Sequence, residues 1–242
     1  MKGGRLRHWL ARVRRWPLHP QWFVFRREAA QMAAVAAWAQ GTTLDVGAGR
    51  QMIQHYLPPD ARYISLDYWE TAVGWYHTRP QIFGDGQQLP IAAASVDTVL
   101  LLDVLEHLPR SSDCLAGIAR VLKPGGRLVL QVPFLYPPHD EPYDFRRWTV
   151  HGLRQLAAEH GFVVVEETMN GRPAETAALL TNLALAHTAL RWLAEKRPQM
   201  VLLPLVPPLI LLINLLGWLG GVLGGADGWM PHSCRMVWEK PE

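Results

Sequence analysis

Apolar residues follow two alternating patterns along most of this chain, one typical of buried strands and one typical of amphipathic helices. Apolar runs predict strands at 42–46, 62–66, 96–102, 127–132, 162–166 and 233–238, and a short strand that ends at Gly84. Helical spacing predicts helices at 28–40, 114–122 and 149–160, and a helical stretch from after Asp67 to about Tyr76. Strands that alternate with helices pair in parallel through right-handed crossovers. The pattern therefore predicts an α/β fold with a ligand site at the carboxyl ends of its strands.

The segment from Thr176 to Leu223 breaks this alternation. It is dominated by Leu, Val and Ile, and no charged residue occurs between Arg197 and Asp227. Prolines interrupt it, and its uninterrupted part, Leu209–Leu223, would cover only about 22 Å of a roughly 30 Å hydrocarbon core as a helix. The segment is therefore short for a single membrane crossing.

The last strand, Ser233–Trp238, can return to the same sheet, so the apolar segment would begin and end on one face of a membrane. We expect a hairpin lying in the interface, because Lys196 and Arg197 at its tip would be costly to translocate. Two crossings, with Ala177–Trp192 as the first, remain open as an alternative. A helical pair that covers the sheet or a dimer partner is a third.

Composition and charge add a second unusual segment. With 242 residues, 49% of them apolar and 19% charged, the chain is long enough for one α/β domain and an elaboration. Cys114 and Cys234 form no metal-ligand spacing and no disulfide framework, which suits a reducing, cytoplasmic compartment. The net charge of +3 is uneven, since residues 1–27 hold eight basic residues and no acidic one.

This basic arm interleaves its arginines with tryptophans, a mixture that favours an anionic membrane surface. It lacks the sustained apolar stretch and the cleavage site of a signal peptide. A nucleic-acid-binding arm would have the same charge, and an arm that only packs its tryptophans on the domain is the third alternative.

Candidate chemistry begins at the glycine-spaced turn after the first strand. Gly47 and Gly49 permit positive φ and leave room for a ligand against the backbone amides that open the next helix. Asp67 ends the second strand, where a carboxylate can accept both ribose hydroxyls, and Asp85 follows the third, where it can accept from an adenine amino group. Met52 replaces the third glycine of a dinucleotide fingerprint, and no Walker lysine is present. The pattern predicts a pocket for an adenosine without a polyphosphate.

Residues from about Thr43 to Glu167 resemble class I S-adenosylmethionine-dependent methyltransferases, especially the small-molecule branch typified by methyltransferase-11-like proteins. Four motifs carry the resemblance in order: LDVGAGR at 44–50, the acid in SLD, the run at 84–108, and VLKPGGRLVLQVP at 121–133. The resemblance implies a Rossmann-like, mostly parallel seven-stranded sheet with helices on both faces. Its last strand, here Ser233–Trp238, is antiparallel, and Thr176–Met230 becomes a hydrophobic helical insertion before it.

The same resemblance assigns S-adenosyl-L-methionine as the cofactor and divides its contacts among the motifs. It implies that the methionine part contacts Asp45, Gly47 and Gly49, the ribose Asp67 beside Tyr68, the adenine Asp85, Gly86 and Gln87, and that Asp103 and Val104 line the cofactor after the fourth strand. Gln51 departs from the pattern, because it occupies the third glycine of the usual turn.

Two histidines are candidates for the base that removes a proton from a hydroxyl acceptor: His139 in the loop after the fifth strand, and His107. Asp103, Glu106 and His107 also resemble an arrangement that can bind a divalent cation in ubiquinone-pathway O-methyltransferases. A histidine after a strand-to-helix turn more often caps or packs, so the sequence-based prediction is that no metal is bound. Arg146 and Arg147 either bind an acidic group of the acceptor or pair with the acidic loop around them.

We therefore expect a basic aromatic arm at 1–27, a methyltransferase core at 28–173, a hydrophobic insertion at 174–231 and a final core strand at 232–242. The predicted protein is a methyltransferase on the inner, cytoplasmic face of a membrane that acts on a small or lipid-linked acceptor. Nucleic acid is not an expected partner, and an oligomer is compatible with the sequence. The alternatives are a non-catalytic adenosyl-cofactor-binding module recruited to a membrane and a nicotinamide oxidoreductase.

Overall fold

The computed structural model describes residues 14–242, and its central feature is one seven-stranded sheet. The strands are β1 Thr42–Val46, β2 Arg62–Asp67, β3 Ile82–Phe83, β4 Val96–Leu102, β5 Leu122–Pro133, β6 Val163–Asn170 and β7 Ser233–Glu239. Their order is β3-β2-β1-β4-β5-β7-β6. Strands β1 to β5 pair in parallel, and β7 pairs antiparallel with β5. The predicted fold, including the antiparallel last strand, is confirmed.

Six α-helices and several tighter helical segments connect these strands within the described residues. The α-helices are α1 Trp22–Phe25, α2 Glu28–Ala36, α3 Ser111–Val121, α4 Val150–Glu159, α5 Pro173–Ala194 and α6 Val206–Gly224. Segments Met52–Tyr56, Leu105–His107 and Pro198–Leu205 are 3₁₀-helices, and Glu70–Tyr76 is a π-helix.

The helix expected after the glycine turn differs from the prediction. Gln51 takes a left-handed φ of 54°, and only the 3₁₀-helix Met52–Tyr56 follows it before Pro58 and Pro59. A left-handed residue cannot join an α-helix, and proline restricts the residue before it to extended backbone, so the segment is confined to about one turn. Backbone amides at the start of a long helix are therefore absent from this turn of the described structure.

Two compact units divide the described chain. One holds residues 30–134, 138–169 and 233–242, and so contains nearly the whole sheet. Its central strands are buried on both faces, since Val99, Leu100 and Leu101 of β4 and Leu128 and Val129 of β5 have no exposed surface. The continuous apolar run at 96–102 predicts this kind of strand, which helices cover on both faces.

The other unit holds residues 14–29, 135–137 and 170–232, and α5 and α6 form its main hairpin. Small residues let the two helices pack closely. A Cβ added to Gly217 would lie 2.4 Å from the Cβ of Ala178, and one added to Gly221 would lie 2.8 Å from Cγ of Glu175. Any larger side chain at these two positions would force the helices apart.

A buried asparagine pair fixes the register of this hairpin. Asn182 Nδ2 donates to Asn214 Oδ1 at 2.9 Å, and Asn214 Nδ2 donates to the carbonyl oxygens of Pro17 and His19 at 2.7 and 3.0 Å. Both asparagine side chains are fully buried. Because a buried amide without partners costs free energy, these bonds favour one pairing of α5, α6 and residues 17–19.

Only part of the predicted basic arm lies among the described residues. Lys2, Arg5, Arg7, Trp9, Leu10, Arg12 and Val13 are outside them. Phe23 is buried against Ala178 and Leu179, as the packing alternative expects, whereas Trp16 is 58% exposed. Arg27 Nη2 donates to Oε1 of the buried Glu175 at 2.9 Å, so this part of the arm is tied to α5.

Candidate active site

A cavity of about 370 Å³ opens where β1, β2, β3 and β4 end, which is within the size range of small-ligand sites. Its walls include residues that follow each of these strands. The predicted site residues among them are Gly47, Asp67, Tyr68, Asp85, Gly86, Gln87, Asp103, Val104 and His107. The carboxyl ends of parallel strands therefore bring most of the predicted site together, as the topology requires.

The glycine turn is held by backbone bonds to the end of β2. The amides of Gly47 and Ala48 donate to the carbonyl of Leu66 at 2.8 and 3.1 Å. Gly47 has a φ of +74°, and a Cβ there would lie 2.4 Å from Cγ2 of Val104. Both the backbone conformation and the lack of space exclude other residues at this position, so this glycine sets the shape of the cavity wall.

Asp67 is oriented by two backbone donors. Its Oδ2 accepts from the amide of Gly49 at 2.7 Å, and its Oδ1 accepts from the amide of Tyr68 at 2.7 Å. Burial raises the pKa of Asp67, and these two bonds act against that increase. The carboxyl group is thus fixed at the end of β2 while it lines the cavity.

Asp45 and Gly49, also predicted to contact a cofactor, stand one step behind the cavity wall. Asp45 Oδ2 accepts from the hydroxyl of Tyr63 at 2.6 Å, and burial raises the pKa of Asp45 to about 7. Gly49 reaches the cavity indirectly, through the bond from its amide to Asp67. Their predicted direct contact with a cofactor stays a prediction.

Asp85 and Gln87 form a compact turn after β3. Asp85 Oδ1 accepts from the backbone amide of Gln87 at 2.8 Å, and Gln87 Oε1 accepts from the amide of Arg110 at 3.0 Å. The turn therefore presents a carboxylate whose position is fixed by the chain itself. This geometry suits an acceptor of hydrogen bonds from a heterocyclic amine.

Aromatic residues that the sequence analysis did not select complete the cavity. Trp75 and Tyr76 come from the π-helix, and Tyr143 comes from the loop after β5. The ring centroids of Trp75 and Tyr143 lie 6.5 Å apart. The cluster of aromatics in the predicted helix after Asp67 was a usable indication of a wall for a flat ligand. No sequence pattern indicated that Tyr143 would join this wall, because its position depends on how the loop after β5 folds.

A group of acidic and histidine side chains adjoins the cavity beyond the end of β4. Asp103 accepts from Gln131 Nε2 at 2.8 Å, and burial raises the pKa of Asp103. Glu106 is completely buried, and burial together with the nearby Asp103 raises the pKa of Glu106 to about 9. Oε1 of Glu106 lies 3.7 Å from Nε2 of His107 and 3.8 Å from Nε2 of His139. The two predicted bases are thus neighbours, with ring centroids 4.9 Å apart.

The loop after β5 is fastened to this group by its own acidic and basic residues. Asp144 accepts from the amide of His139 at 2.9 Å and from Nη2 of Arg147 at 2.7 Å. This bonding to Arg147 lowers the pKa of Asp144 to about 2. Arg146 Nη1 donates to the carbonyls of Leu108 and Pro109 at 3.0 and 2.9 Å. Of the two roles open to these arginines, the structure places Arg147 in the pairing role and Arg146 on backbone carbonyls.

Comparison with known proteins gives this arrangement a family context. Residues 44–130 match the family model described as a methyltransferase domain. A protein of Mycolicibacterium smegmatis named "Probable S-adenosylmethionine-dependent methyltransferase" is 33% identical over 118 residues, which are 45% of this chain and 46% of that protein. The chain thus spans about half the length of the curated relatives that it matches.

Solved structures extend the similarity to the whole fold. A SAM-dependent methyltransferase from Archaeoglobus fulgidus superposes with a TM-score of 0.56 at 15% identity, covering 90% of this chain and 94% of that one. The 1,6-didemethyltoxoflavin-N1-methyltransferase of Burkholderia thailandensis, solved with bound 1,6-didemethyltoxoflavin and S-adenosylhomocysteine, superposes with a TM-score of 0.53 at 18% identity, covering 90% of this chain and 81% of that one. These likenesses show the fold. Together with the match of residues 44–130 to the methyltransferase-domain model, they confirm the resemblance identified from the sequence.

Proposed function

We propose that this chain transfers a methyl group from S-adenosylmethionine to a small or lipid-linked acceptor at the cytoplasmic face of a membrane. The assignment of S-adenosylmethionine as the methyl donor is supported by the cavity at the strand ends. There the glycine turn, Asp67 and Asp85 lie at the ends of three successive strands. Its volume and its aromatic wall suit an adenosine with a short, charged extension. The named activities of the matched relatives support the same donor.

In the proposed complex, Asp67 accepts from the ribose hydroxyls and Asp85 from the adenine amino group. The methyl carbon leaves the sulfonium sulfur as it bonds to the acceptor, and the sulfur keeps the bonding electron pair. The protein has mainly to hold donor and acceptor in line and to exclude water. A hydroxyl acceptor must also lose a proton, which we assign to the group around His107 and His139, acting directly or through a bound ion as argued below.

The membrane part of the proposal rests on the apolar surface of α6. Its buried residues are Ile210, Asn214, Gly217 and Gly221, so three of these four inward residues are small or polar. Its outer residues are large and exposed: Leu209, Leu212, Leu215, Leu216, Trp218, Leu219, Val222 and Leu223. A helix of a water-soluble protein shows the reverse pattern. Such a surface suits contact with lipid chains.

Calorimetric titration with S-adenosylhomocysteine tests the donor site. Full-length protein should bind it, and Asp67→Ala should abolish binding, because the ribose loses its carboxylate acceptor. Asp60→Ala, which removes an exposed carboxylate from the turn before β2, is the matched control and should bind as the parent does. Undiminished binding by Asp67→Ala would contradict the site assignment.

Transfer itself is tested with methyl-labelled cofactor and two acceptor pools, a membrane lipid extract and an aqueous extract of small metabolites. We expect label in the lipid pool, and none with Asp67→Ala. Label found only in the aqueous pool would support methyl transfer but contradict the proposal of a lipid-linked acceptor. Tight cofactor binding with no label in either pool would favour the non-catalytic module.

A further inference from the structure

Three side chains next to the cavity are arranged as a set of metal ligands. Glu106, His107 and His139 each offer one ligand atom, and these atoms all lie within 4.8 Å of one another. Two ligand atoms bound about 2.1 Å from a tetrahedral ion stand about 3.4 Å apart. The separations of 3.7 and 3.8 Å from Glu106 Oε1 to the two Nε2 atoms are only a few tenths of an ångström longer.

Glu106 supplies the independent indication that something binds here. Its side chain has no exposed surface, and neither carboxylate oxygen accepts a hydrogen bond from another described residue. A buried carboxyl without partners costs free energy, and such groups pair or coordinate metals. The direction of Oε1, toward both histidines, identifies where that partner would sit.

Both histidines are already oriented by their other ring nitrogen. Nδ1 of His107 lies 2.8 Å from the carbonyl oxygen of Tyr143, which requires a proton on Nδ1 and leaves Nε2 as the lone-pair atom. Nδ1 of His139 lies 3.1 Å from Oδ2 of Asp144, with Nη2 of Arg147 farther away at 3.5 Å. A carbonyl or carboxylate behind each imidazole is the usual support of histidine ligands in metal sites.

From this geometry we infer that Glu106, His107 and His139 bind a divalent first-row transition-metal ion of the zinc class, with an open coordination position toward the cavity. Two imidazoles and one carboxylate suit zinc, whereas magnesium prefers a set of oxygens. Asp140 stands beside the open side, with Oδ2 4.0 Å from Nε2 of His107, and both residues line the cavity. This inference departs from the sequence-based prediction of no metal.

The structure also explains why His139 takes the third position instead of Asp103. Asp103 accepts from Gln131, whereas the loop after β5 returns to Glu106, where the amide of Phe145 donates to the Glu106 carbonyl at 2.9 Å. The loop thereby carries His139 onto the same carboxylate. If the proposed function holds, an acceptor hydroxyl bound at the open position would lose its proton more readily, as water does on zinc.

The test uses the full chain after dialysis against a chelator, titrated with Co²⁺ by visible absorption and with Zn²⁺ by calorimetry. We expect one ion per chain, and no displacement by an excess of Mg²⁺. Glu106→Gln, which keeps the side-chain shape, and His139→Ala should each weaken binding at least about 100-fold. Asp144→Asn should weaken it about 10- to 100-fold by releasing His139. His55→Ala, which removes an exposed histidine elsewhere, should leave it unchanged.

S-adenosylhomocysteine binding by the same ion-free samples reports folding and separates the two proposals. Variants that bind the nucleoside but not the ion support the inference. No ion bound by the parent, or the same affinity in Glu106→Gln and His139→Ala, would overturn it while leaving the methyl-donor site intact. If the parent binds the ion but not the nucleoside, the metal site stands and the proposed function fails.

Discussion

Asp45 shows how a single buried carboxyl group supports the cavity and costs stability at the same time. It lies at the centre of the sheet, is 4% exposed, and accepts a hydrogen bond from the hydroxyl of Tyr63 at 2.6 Å. Burial raises the pKa of Asp45 from 3.8 to about 7, which exceeds the lowering effect of the Tyr63 bond. The folded protein therefore retains a proton here at pH values where an unfolded chain has lost it.

Replacing Asp45 with Asn should change how stability depends on pH. Between about pH 4 and 7 the unfolded parent chain binds fewer protons than the folded one, so its free energy of unfolding falls as pH rises. The full cost is about 4 kcal/mol at 1.36 kcal/mol per pKa unit. Urea titrations should find Asp45→Asn equal to the parent near pH 4 and increasingly more stable up to about pH 7, with no further gain above. Asp60→Asn is the control, and a constant difference across this range would contradict the shifted pKa.

At the same scale, residues at strand ends could be predicted and loop-borne residues could not. Gly47, Asp67 and Asp85 follow apolar runs directly, so the topology alone brings them to one edge. The positions of Tyr143 and His139 depend on the loop after β5. Hydrogen bonds to Glu106 and His107 set the path of this loop. Those bonds join residues that are distant in sequence, and no local pattern encodes them.

Among the elements, α6 has the most unusual division between its faces. Asn214, Gly217 and Gly221 lie on the buried side, where the glycines allow close packing and Asn214 bonds to residues 17–19. The leucines lie on the outer side and are about half exposed, so they contribute less to the packing of the hairpin than the buried residues do. Within residues 14–242, the segment Pro198–Gly224 is the one helical stretch long and apolar enough to span a membrane. We propose that its outer surface lies in the interface.

Changing the outer surface of α6 should therefore reduce membrane binding far more than it reduces stability. Leu212, Leu216 and Leu219 are 52%, 58% and 47% exposed and lie on one side of the helix. Replacing all three with Gln should cost about 1 kcal/mol each of lipid contact, or about 100-fold in partitioning to neutral vesicles. Flotation measures this loss, and thermal unfolding in buffer should show a much smaller change, because the three side chains are about half exposed.

Val163→Gln combined with Val165→Gln is the matched control, because both side chains are exposed on β6, in the other unit. These variants should float as the parent does. Equal flotation of the leucine variant and the parent would move the membrane contact elsewhere or remove it from the proposal.

Elements with a strong pattern were predictable, and those decided by local strain were not. The apolar run at β4 and the helical spacing of α3 and α4 match the structure to within three residues, whereas β5 begins five residues before its predicted start. The segment after Gly49 does not, because Gln51 takes a left-handed conformation and two prolines follow. Tertiary bonds at Gly47 and Asp67 hold that turn, and they outweigh the helical preference of the sequence.

For the whole molecule, the charge distribution separates two ways of reaching a membrane. Eight basic residues and no acidic one lie in residues 1–27, so the remaining residues carry a net charge of −5 although the chain as a whole carries +3. An electrostatic contribution from this arm requires anionic lipid and weakens with salt. A contribution from the apolar face of α6 requires neither. The two contributions can therefore be measured independently on one protein.

Replacing Arg5, Arg7 and Arg12 together with Gln should weaken binding to vesicles that contain anionic phosphatidylserine. At about 1 kcal/mol per charge near the surface, the expected loss is about 100-fold at low ionic strength and much smaller in high salt. Binding to neutral phosphatidylcholine vesicles should not change, because it depends on apolar contact alone. Arg62→Gln, which removes an exposed positive charge at the start of β2, serves as the control for net charge and should have little effect on either vesicle. An equal loss on neutral vesicles would show that the arm acts through packing on α5 and α6 instead of through its charge.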